Sequence, residues 1–139
     1  MKHETAFEMA TSGVRFGRGV TREVGQDLAD LGARQVLVLT DPVVRMLQPA
    51  HTVLESLEEN KIRYVIYDRV RVEPTDESFL DAIHFARQNP CDAIVAVGGG
   101  STLDTAKAVN LYVSHPPANT TEQLLILLLT AHRGSIARV

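Results

Sequence analysis

The chain has 139 residues, 45% hydrophobic and 22% charged, the balance of an ordinary soluble globular domain. Its formal net charge of −3 gives no basic surface for nucleic acid, and its longest apolar run, 124–129, is far too short to cross a membrane. The length suits one domain, and a single cysteine, Cys91, excludes an internal disulfide. No apolar or arginine-rich leader follows Met1, so we expect a cytoplasmic protein.

The first third of the chain predicts one helix between two strands. Residues 14–16 suit a short edge strand, and Thr21 is a candidate N-cap for a helix reaching about residue 31. Gly32 then suits the C′ position that ends a helix. The apolar run 35–39 predicts the next strand.

The middle of the chain continues the alternation. Residues 44–57 predict a helix interrupted near Pro49, and 62–67 predict a strand followed by a loop at 70–74. Thr75 is a candidate N-cap for a helix reaching about residue 88. The residues expected to face the core in these two helices are Val53, Leu54, Leu57, Phe79, Ile83 and Ala86.

A glycine run follows the next predicted strand, Ala93–Val97, whose β-branched residues suggest burial on both faces. Ser101 can cap the helix after it, with Asp104 as the reciprocal partner of a capping box. Glycines before a helix N-terminus let backbone N–H groups approach a phosphate, but they can equally form a tight turn without a ligand. The core-facing residues expected in this helix are Leu103, Ala106, Asn110 and Val113.

The alternation of strands and helices predicts an α/β fold with a parallel sheet and right-handed crossovers. Ligands of such sheets bind outside the carboxyl ends of the strands, where Asp41, the loop 72–75 and the run 98–101 would meet. An acidic residue after a strand can bind both hydroxyls of a ribose. Asp41, next to Pro42, could equally be a turn or helix-cap residue.

These motifs resemble the iron-containing alcohol dehydrogenase family. The resemblance is carried by Gly98-Gly-Gly-Ser-x-x-Asp-x-x-Lys107, by Thr40-Asp41 and by Glu73-Pro-Thr75. Further motifs, among them Arg15-Phe-Gly and Arg71-Val-Glu-Pro-Thr-Asp76, are similar to its hydroxyacid–oxoacid transhydrogenase branch, over about residues 6–117. The implied fold is dehydroquinate-synthase-like, a Rossmann-like parallel sheet with helices on both faces.

The resemblance implies a bound NAD and assigns its contacts. Gly98, Gly99, Gly100 and Ser101 would hold the diphosphate, Asp41 would lie near the adenine-side ribose, Glu73 and Thr75 would flank the nucleotide, and Asp104 would face the nicotinamide side. For Lys107 we favour a surface ion pair with Asp104, three residues away on the helix.

Full-length members of the family continue into a helical domain that supplies one Asp and three His as ligands for iron or zinc. The histidines of this chain are scattered without ligand spacing: His3, His51, His84, His115 and His132. We therefore expect residues 1–118 to form part of the NAD-binding domain, truncated before the metal-binding domain. Residues 119–139 depart from the family pattern, and their run 124–129 suits either one more strand beside Ala93–Val97 or a disordered tail.

Two functions follow from the resemblance. One is the NAD-binding portion of a metal-dependent transhydrogenase, which oxidises 4-hydroxybutyrate to succinate semialdehyde while reducing 2-oxoglutarate, with this chain inactive alone. The alternative is a non-catalytic nucleotide-binding module or a non-functional gene fragment. The expected partners are the nucleotide, a small hydroxy acid or alcohol, and a second copy in a homo-oligomer. The resemblance also makes the mitochondrial matrix an alternative location.

Overall fold

The computed structural model describes residues 15–116, which form a parallel three-stranded sheet with helices on both faces. A 3₁₀ turn, Val20–Glu23, leads into α1 (Val24–Asp30), and a second 3₁₀ turn, Val44–Met46, precedes α2. In chain order the remaining elements are β1 (Gln35–Thr40), α2 (Gln48–Glu59), β2 (Arg63–Tyr67), α3 (Asp76–Gln88), β3 (Ala93–Val97) and α4 (Gly100–Ser114). The predicted alternation of strands and crossover helices is confirmed.

Strand β1 lies at the centre of the sheet, whose order is β2-β1-β3 with both pairings parallel. Residues 36–40 of β1 are all buried, whereas 93–96 in β3 are partly exposed. The expectation that β3 is buried on both faces is therefore wrong for the described residues. Within 15–116 its only partner is β1, so β3 is an edge strand, while β1 is covered on every side.

Alternate residues of β1 point into two separate cores, as the period of a strand requires. Leu37 and Leu39 pack with α3 and α4 on one face of the sheet, and Val36 and Val38 pack with α1 and α2 on the other. The predicted inward residues of α2, Val53, Leu54 and Leu57, and of α3, Ile83 and Ala86, are buried, and Phe79 is partly buried. Because both pairings are parallel, all three strands end at the same edge of the sheet.

The contact between α1 and α2 depends on Gly25 and Ser56. The Ser56 hydroxyl accepts a hydrogen bond from the Gly25 N–H at 2.9 Å and donates one to the Arg22 carbonyl at 2.6 Å. A Cβ added to Gly25 would lie 2.1 Å from the Ser56 carbonyl oxygen, so the helices approach more closely than any side chain there allows.

Helix α1 begins differently from the prediction. Thr21 is not its N-cap: it lies inside the 3₁₀ turn, and α1 starts after Glu23 without a side-chain cap. The turn itself follows Gly19, whose φ of 82° is left-handed, so glycine rather than threonine sets the start. At the other end, the predicted role of Gly32 is confirmed by its φ of 81°.

The starts of α2 and α3 agree with the sequence. A break at Leu47 separates the 3₁₀ turn from α2, and Pro49 lies in the first turn of α2, where its missing N–H costs no hydrogen bond. Thr75 caps α3 in a capping box: its hydroxyl accepts from the Ser78 N–H at 3.2 Å, and the Ser78 hydroxyl accepts from the Thr75 N–H at 2.8 Å.

Helix α4 differs from the sequence-based prediction in its N-cap and in its buried residues. Gly99, not Ser101, occupies the N-cap position, and α4 has no side-chain cap, so the Ser101–Asp104 capping box is wrong. The buried residues are Thr102, Thr105, Ala108, Val109 and Tyr112. Of the residues predicted to face the core, Leu103 is 47% exposed, whereas Ala106 and Val113 are partly buried against it. The helix carries apolar residues around most of its circumference, so periodicity did not mark one face. Burial of Thr105 is compatible with its polarity because its hydroxyl donates to the Ser101 carbonyl at 2.8 Å.

The remaining predictions concern the two ends of the chain. Arg15 and Phe16 are not in a strand, and Arg15 instead forms ion pairs with Glu23 at 2.7 Å and Asp27 at 2.9 Å. Val14 and the run 124–129 lie outside the described residues, so the predicted strand and tail there stay predictions. Among the described helices, none has the length and apolar character needed to cross a bilayer.

Candidate functional site

A cleft of about 200 Å³ lies at the carboxyl ends of the three strands. Its lining consists of Asp41 after β1, residues 70–72 after β2, and 99–102 at the start of α4. Four of the predicted site residues, Asp41, Gly99, Gly100 and Ser101, therefore meet in one place. This is the edge where parallel sheets bind their ligands.

Thr40 donates one hydrogen bond and accepts another where the strands end at the cleft. The buried Thr40 hydroxyl donates to the Val97 carbonyl at 2.7 Å, which ties the end of β1 to the end of β3. The Val70 N–H donates to the Thr40 carbonyl at 3.3 Å, which holds the start of the 70–72 loop over β1. The loop after β2 thus crosses the end of the central strand.

The loop is anchored a second time at α4. The Ser101 hydroxyl donates to the Val72 carbonyl, so the side chain expected to cap the helix links the loop to the helix start. Arg71 lies between the two anchored residues, Val70 and Val72, and lines the cleft. The sequence-based site did not include Arg71, although it stands in the same quoted motif as Glu73 and Thr75.

The three consecutive glycines have different surroundings. A Cβ on Gly98 would lie 2.4 Å from the Thr102 hydroxyl oxygen and 2.8 Å from the Thr102 Cβ, so glycine there lets α4 pack against the end of β3. A Cβ on Gly99 or Gly100 would meet no described atom within 4 Å. Neither has a positive φ, so neither packing nor backbone strain within residues 15–116 requires glycine at those two positions. A ligand approaching the backbone would require it.

The start of α4 carries hydrogen-bond donors toward this open space. The first N–H of the helix bonded back to the turn is that of Leu103, which donates to the Gly99 carbonyl at 3.1 Å. The preceding N–H groups belong to Gly100, Ser101 and Thr102, all of which line the cleft. Uncapped N–H groups at the positive end of a helix dipole favour an anion.

Asp41 has a structural role. Its Oδ1 accepts hydrogen bonds from the N–H groups of Val43 and Val44, both at 2.8 Å, and so closes the turn that leads into the 3₁₀ segment, as the turn interpretation expects. These two bonds fix the orientation of the half-buried carboxylate beside the cleft. Within residues 15–116 no hydrogen bond engages its Oδ2, so a ribose contact by that oxygen is compatible with the turn and stays a prediction.

The other four predicted residues do not line the cleft. Gly98 packs against Thr102, Glu73 is exposed on the loop, and Thr75 uses its hydroxyl in the α3 cap. Asp104 lies on the exposed side of α4 and pairs with Lys107 at 3.6 Å, which confirms the expected surface ion pair. Contacts from these residues to a nucleotide stay predictions.

Tyr67 and Cys91 both lie outside the cleft, and neither has a pKa shifted in the direction that would activate it as a nucleophile. Burial, followed by a hydrogen bond with Asp81, raises the pKa of Tyr67 to about 12. Burial also raises the pKa of the Cys91 thiol, which disfavours the thiolate needed for nucleophilic attack. Within 15–116 no group of three His, Cys, Asp or Glu side chains could hold a metal ion.

Comparisons with known proteins agree on one family. The model of the iron-containing alcohol dehydrogenases matches residues 11–136. The mitochondrial hydroxyacid–oxoacid transhydrogenases of Xenopus tropicalis and Mus musculus are 56% and 57% identical to this chain over 118 and 111 residues. These matches cover 85% and 80% of the chain but 26% and 24% of the relatives, so the chain spans about a quarter of their length.

Solved structures give the same result for the fold. The NADH-dependent butanol dehydrogenase A of Thermotoga maritima superposes with a TM-score of 0.76 at 27% identity, over 82% of this chain and 29% of that one. A 1,3-propanediol oxidoreductase superposes with a TM-score of 0.70 at 30% identity, over 76% of this chain and 28% of that one. The family match covers far more than half of the sequence, and this chain belongs to the iron-containing alcohol dehydrogenase family.

Proposed function

We propose that the cleft binds NAD and that this chain is the nucleotide-binding portion of a metal-dependent hydroxyacid–oxoacid transhydrogenase. The observation that carries the proposal is the open space above Gly99 and Gly100 at the uncapped start of α4. Family membership and the identity of 54–57% to transhydrogenases support the same ligand class. When bound, NAD would supply the acceptor and donor of hydride.

The residues of the cleft fit the adenine half of a dinucleotide. The N–H groups of 100–102 would bind the diphosphate, and the absence of side chains at Gly99 and Gly100 lets it approach the backbone. Asp41, already oriented by the Val43 and Val44 N–H groups, would accept hydrogen bonds from the ribose hydroxyls through Oδ2. The site is thus organised before the ligand arrives, which lowers the cost of binding.

The substrates we propose for the whole protein are 4-hydroxybutyrate, oxidised to succinate semialdehyde, and 2-oxoglutarate, reduced in exchange. They follow from the resemblance to transhydrogenases, and iron or zinc would be held by the helical domain of full-length members. The names of the similar proteins specify mitochondria, which favours the matrix over the cytoplasm for this chain as well. Homo-oligomerisation stays part of the proposal.

The first test places valine in the cleft. Gly99 has an extended backbone (φ −88°, ψ −162°) that valine adopts, so Gly99→Val should keep the fold, at a cost of about 1 kcal/mol for the changed N-cap. The added side chain would occupy the space of the diphosphate, and we expect NAD binding in isothermal titration calorimetry to disappear. Circular dichroism at the titration temperature checks folding. Binding equal to the parent would show that the nucleotide does not use this cleft.

A second test separates the enzyme portion from the alternative of a non-catalytic nucleotide-binding module. We expect the purified chain to bind NAD but to form no NADH from 4-hydroxybutyrate, with or without added iron or zinc, because stabilising the developing charge in this reaction requires a bound Lewis acid. NADH formation that depends on added metal would contradict the assignment of the metal site to a separate domain.

A further inference from the structure

Arg71 lines the cleft in a position fixed from both sides. Its two neighbours are anchored, Val70 by its N–H to the Thr40 carbonyl and Val72 by its carbonyl to the Ser101 hydroxyl. The second anchor joins this loop to the first turn of α4, so the backbone of Arg71 is held beside the N-terminus of the helix. Within residues 15–116 the guanidinium of Arg71 forms no ion pair.

Arg71 is the positively charged residue among those that line the cleft. Of the eight lining residues, Asp41 and Arg71 are the two that carry charge. A diphosphate entering the cleft brings negative charge next to the Asp41 carboxylate, and a helix N-terminus offers roughly half a positive charge in return. The nearest lysine of α4, Lys107, is engaged with Asp104 at 3.6 Å and does not line the cleft. Arg71 is therefore the side chain able to balance the anion.

We infer that the Arg71 guanidinium binds the diphosphate of the nucleotide, opposite the N–H groups of α4. The inference rests on the proposed NAD site. A guanidinium forms two parallel hydrogen bonds to phosphate oxygens, and its planar group loses little freedom when it does so. The dinucleotide would then be held by backbone donors on one side and by this side chain on the other.

The test compares three variants with the parent in calorimetric titrations with NAD, ADP and adenosine. Arg71→Gln should weaken NAD and ADP binding about tenfold, as expected for loss of a charge-assisted hydrogen bond near solvent, and leave adenosine binding unchanged. Arg71→Lys keeps the positive charge but cannot form two parallel hydrogen bonds, and its affinity for NAD and ADP should fall about threefold. Arg63→Gln is the matched control, because Arg63 is exposed at the first residue of β2, at the opposite edge of the sheet.

The outcomes separate this inference from the proposal on which it rests. If the parent chain binds NAD and Arg71→Gln binds it equally well, the diphosphate role is wrong and the NAD site stands. If Arg71→Gln weakens adenosine as much as NAD, the side chain contacts the nucleoside and the diphosphate role is again overturned. If the parent binds none of the three compounds, the NAD site itself is wrong. The inference is supported if Arg71→Gln loses affinity for NAD and ADP but not for adenosine, and if this loss is larger at low salt.

Discussion

The two edges of the sheet differ in how their backbone groups are satisfied. At the amino edge, the Asp92 carboxylate accepts hydrogen bonds from the N–H groups of Arg34 at 2.9 Å and Gln35 at 3.1 Å. The Asp92 N–H donates a hydrogen bond to the Gln35 carbonyl at 3.0 Å, and the Arg63 N–H donates one to the Arg34 carbonyl at 3.1 Å. At the carboxyl edge, α4 begins with no side-chain cap and two glycines face open space.

The comparison shows where the fold leaves donors for a ligand. At the amino edge, one carboxylate of the chain itself satisfies two N–H groups at the start of β1. At the opposite edge the N-cap of α4 is Gly99, which has no side chain, and the Ser101 hydroxyl donates to the Val72 carbonyl. The first N–H groups of α4 therefore have no side-chain cap, and this difference distinguishes a structural end of the sheet from a candidate site.

The largest effect should come from adding a methyl group where α4 packs against the end of β3. Gly98→Ala places a Cβ 2.4 Å from the hydroxyl oxygen and 2.8 Å from the Cβ of the buried Thr102, so a change of the Thr102 rotamer alone does not relieve the clash. We expect a loss of about 1–3 kcal/mol in the free energy of unfolding, measured by urea denaturation. Gly100→Ala is the control: its Cβ meets open space in the first turn of a helix, and stability should stay within about 0.5 kcal/mol or rise. Equal losses would show that the two glycines do not differ.

A smaller effect is expected from the amino edge. Asp92→Ala removes the acceptor for two backbone N–H groups that water can partly replace, so we expect a loss of about 1 kcal/mol in the free energy of unfolding. NAD affinity at the far edge should not change in calorimetry. A drop in affinity without a drop in stability would contradict the separation of the two edges.

A pH-dependent effect is expected at the carboxyl end of β2, outside the cleft, where the Tyr67 hydroxyl donates to Asp81 at 2.8 Å. The pKa of Tyr67 rises from 10.0 to about 12 in the folded chain, so the folded state holds this proton more tightly than the unfolded one. Its contribution to stability is complete below about pH 10 and is lost as the pH rises to about 12. Urea denaturation at pH 9 and 11 should show a smaller pH-dependent loss for Tyr67→Phe than for the parent. An identical slope in both proteins would contradict the shift.

Sequence patterns predicted the strands well because each is a short apolar run between turn residues. The start of α3 was equally predictable, since a capping box is a local signal that Thr75 and Ser78 complete by themselves. The start of α4 was not predictable from local sequence, because the Ser101 hydroxyl donates to the Val72 carbonyl, which only the tertiary structure brings near. For the same reason the pattern could place Asp41 and the glycines at one edge but could not show that Arg71 is positioned between two anchors.

The central position of β1 has a consequence for synthesis. Both partners of this strand follow it in the chain, and its second neighbour is complete only when Val97 has been made. Until then the sheet is incomplete, and the apolar residues of β1, which are buried in the folded chain, cannot all be covered. Parallel pairing between strands distant in sequence is also slow. We therefore expect the nascent chain to expose Val36–Leu39 to chaperones at the ribosome and to fold in one late step, after α4 has emerged.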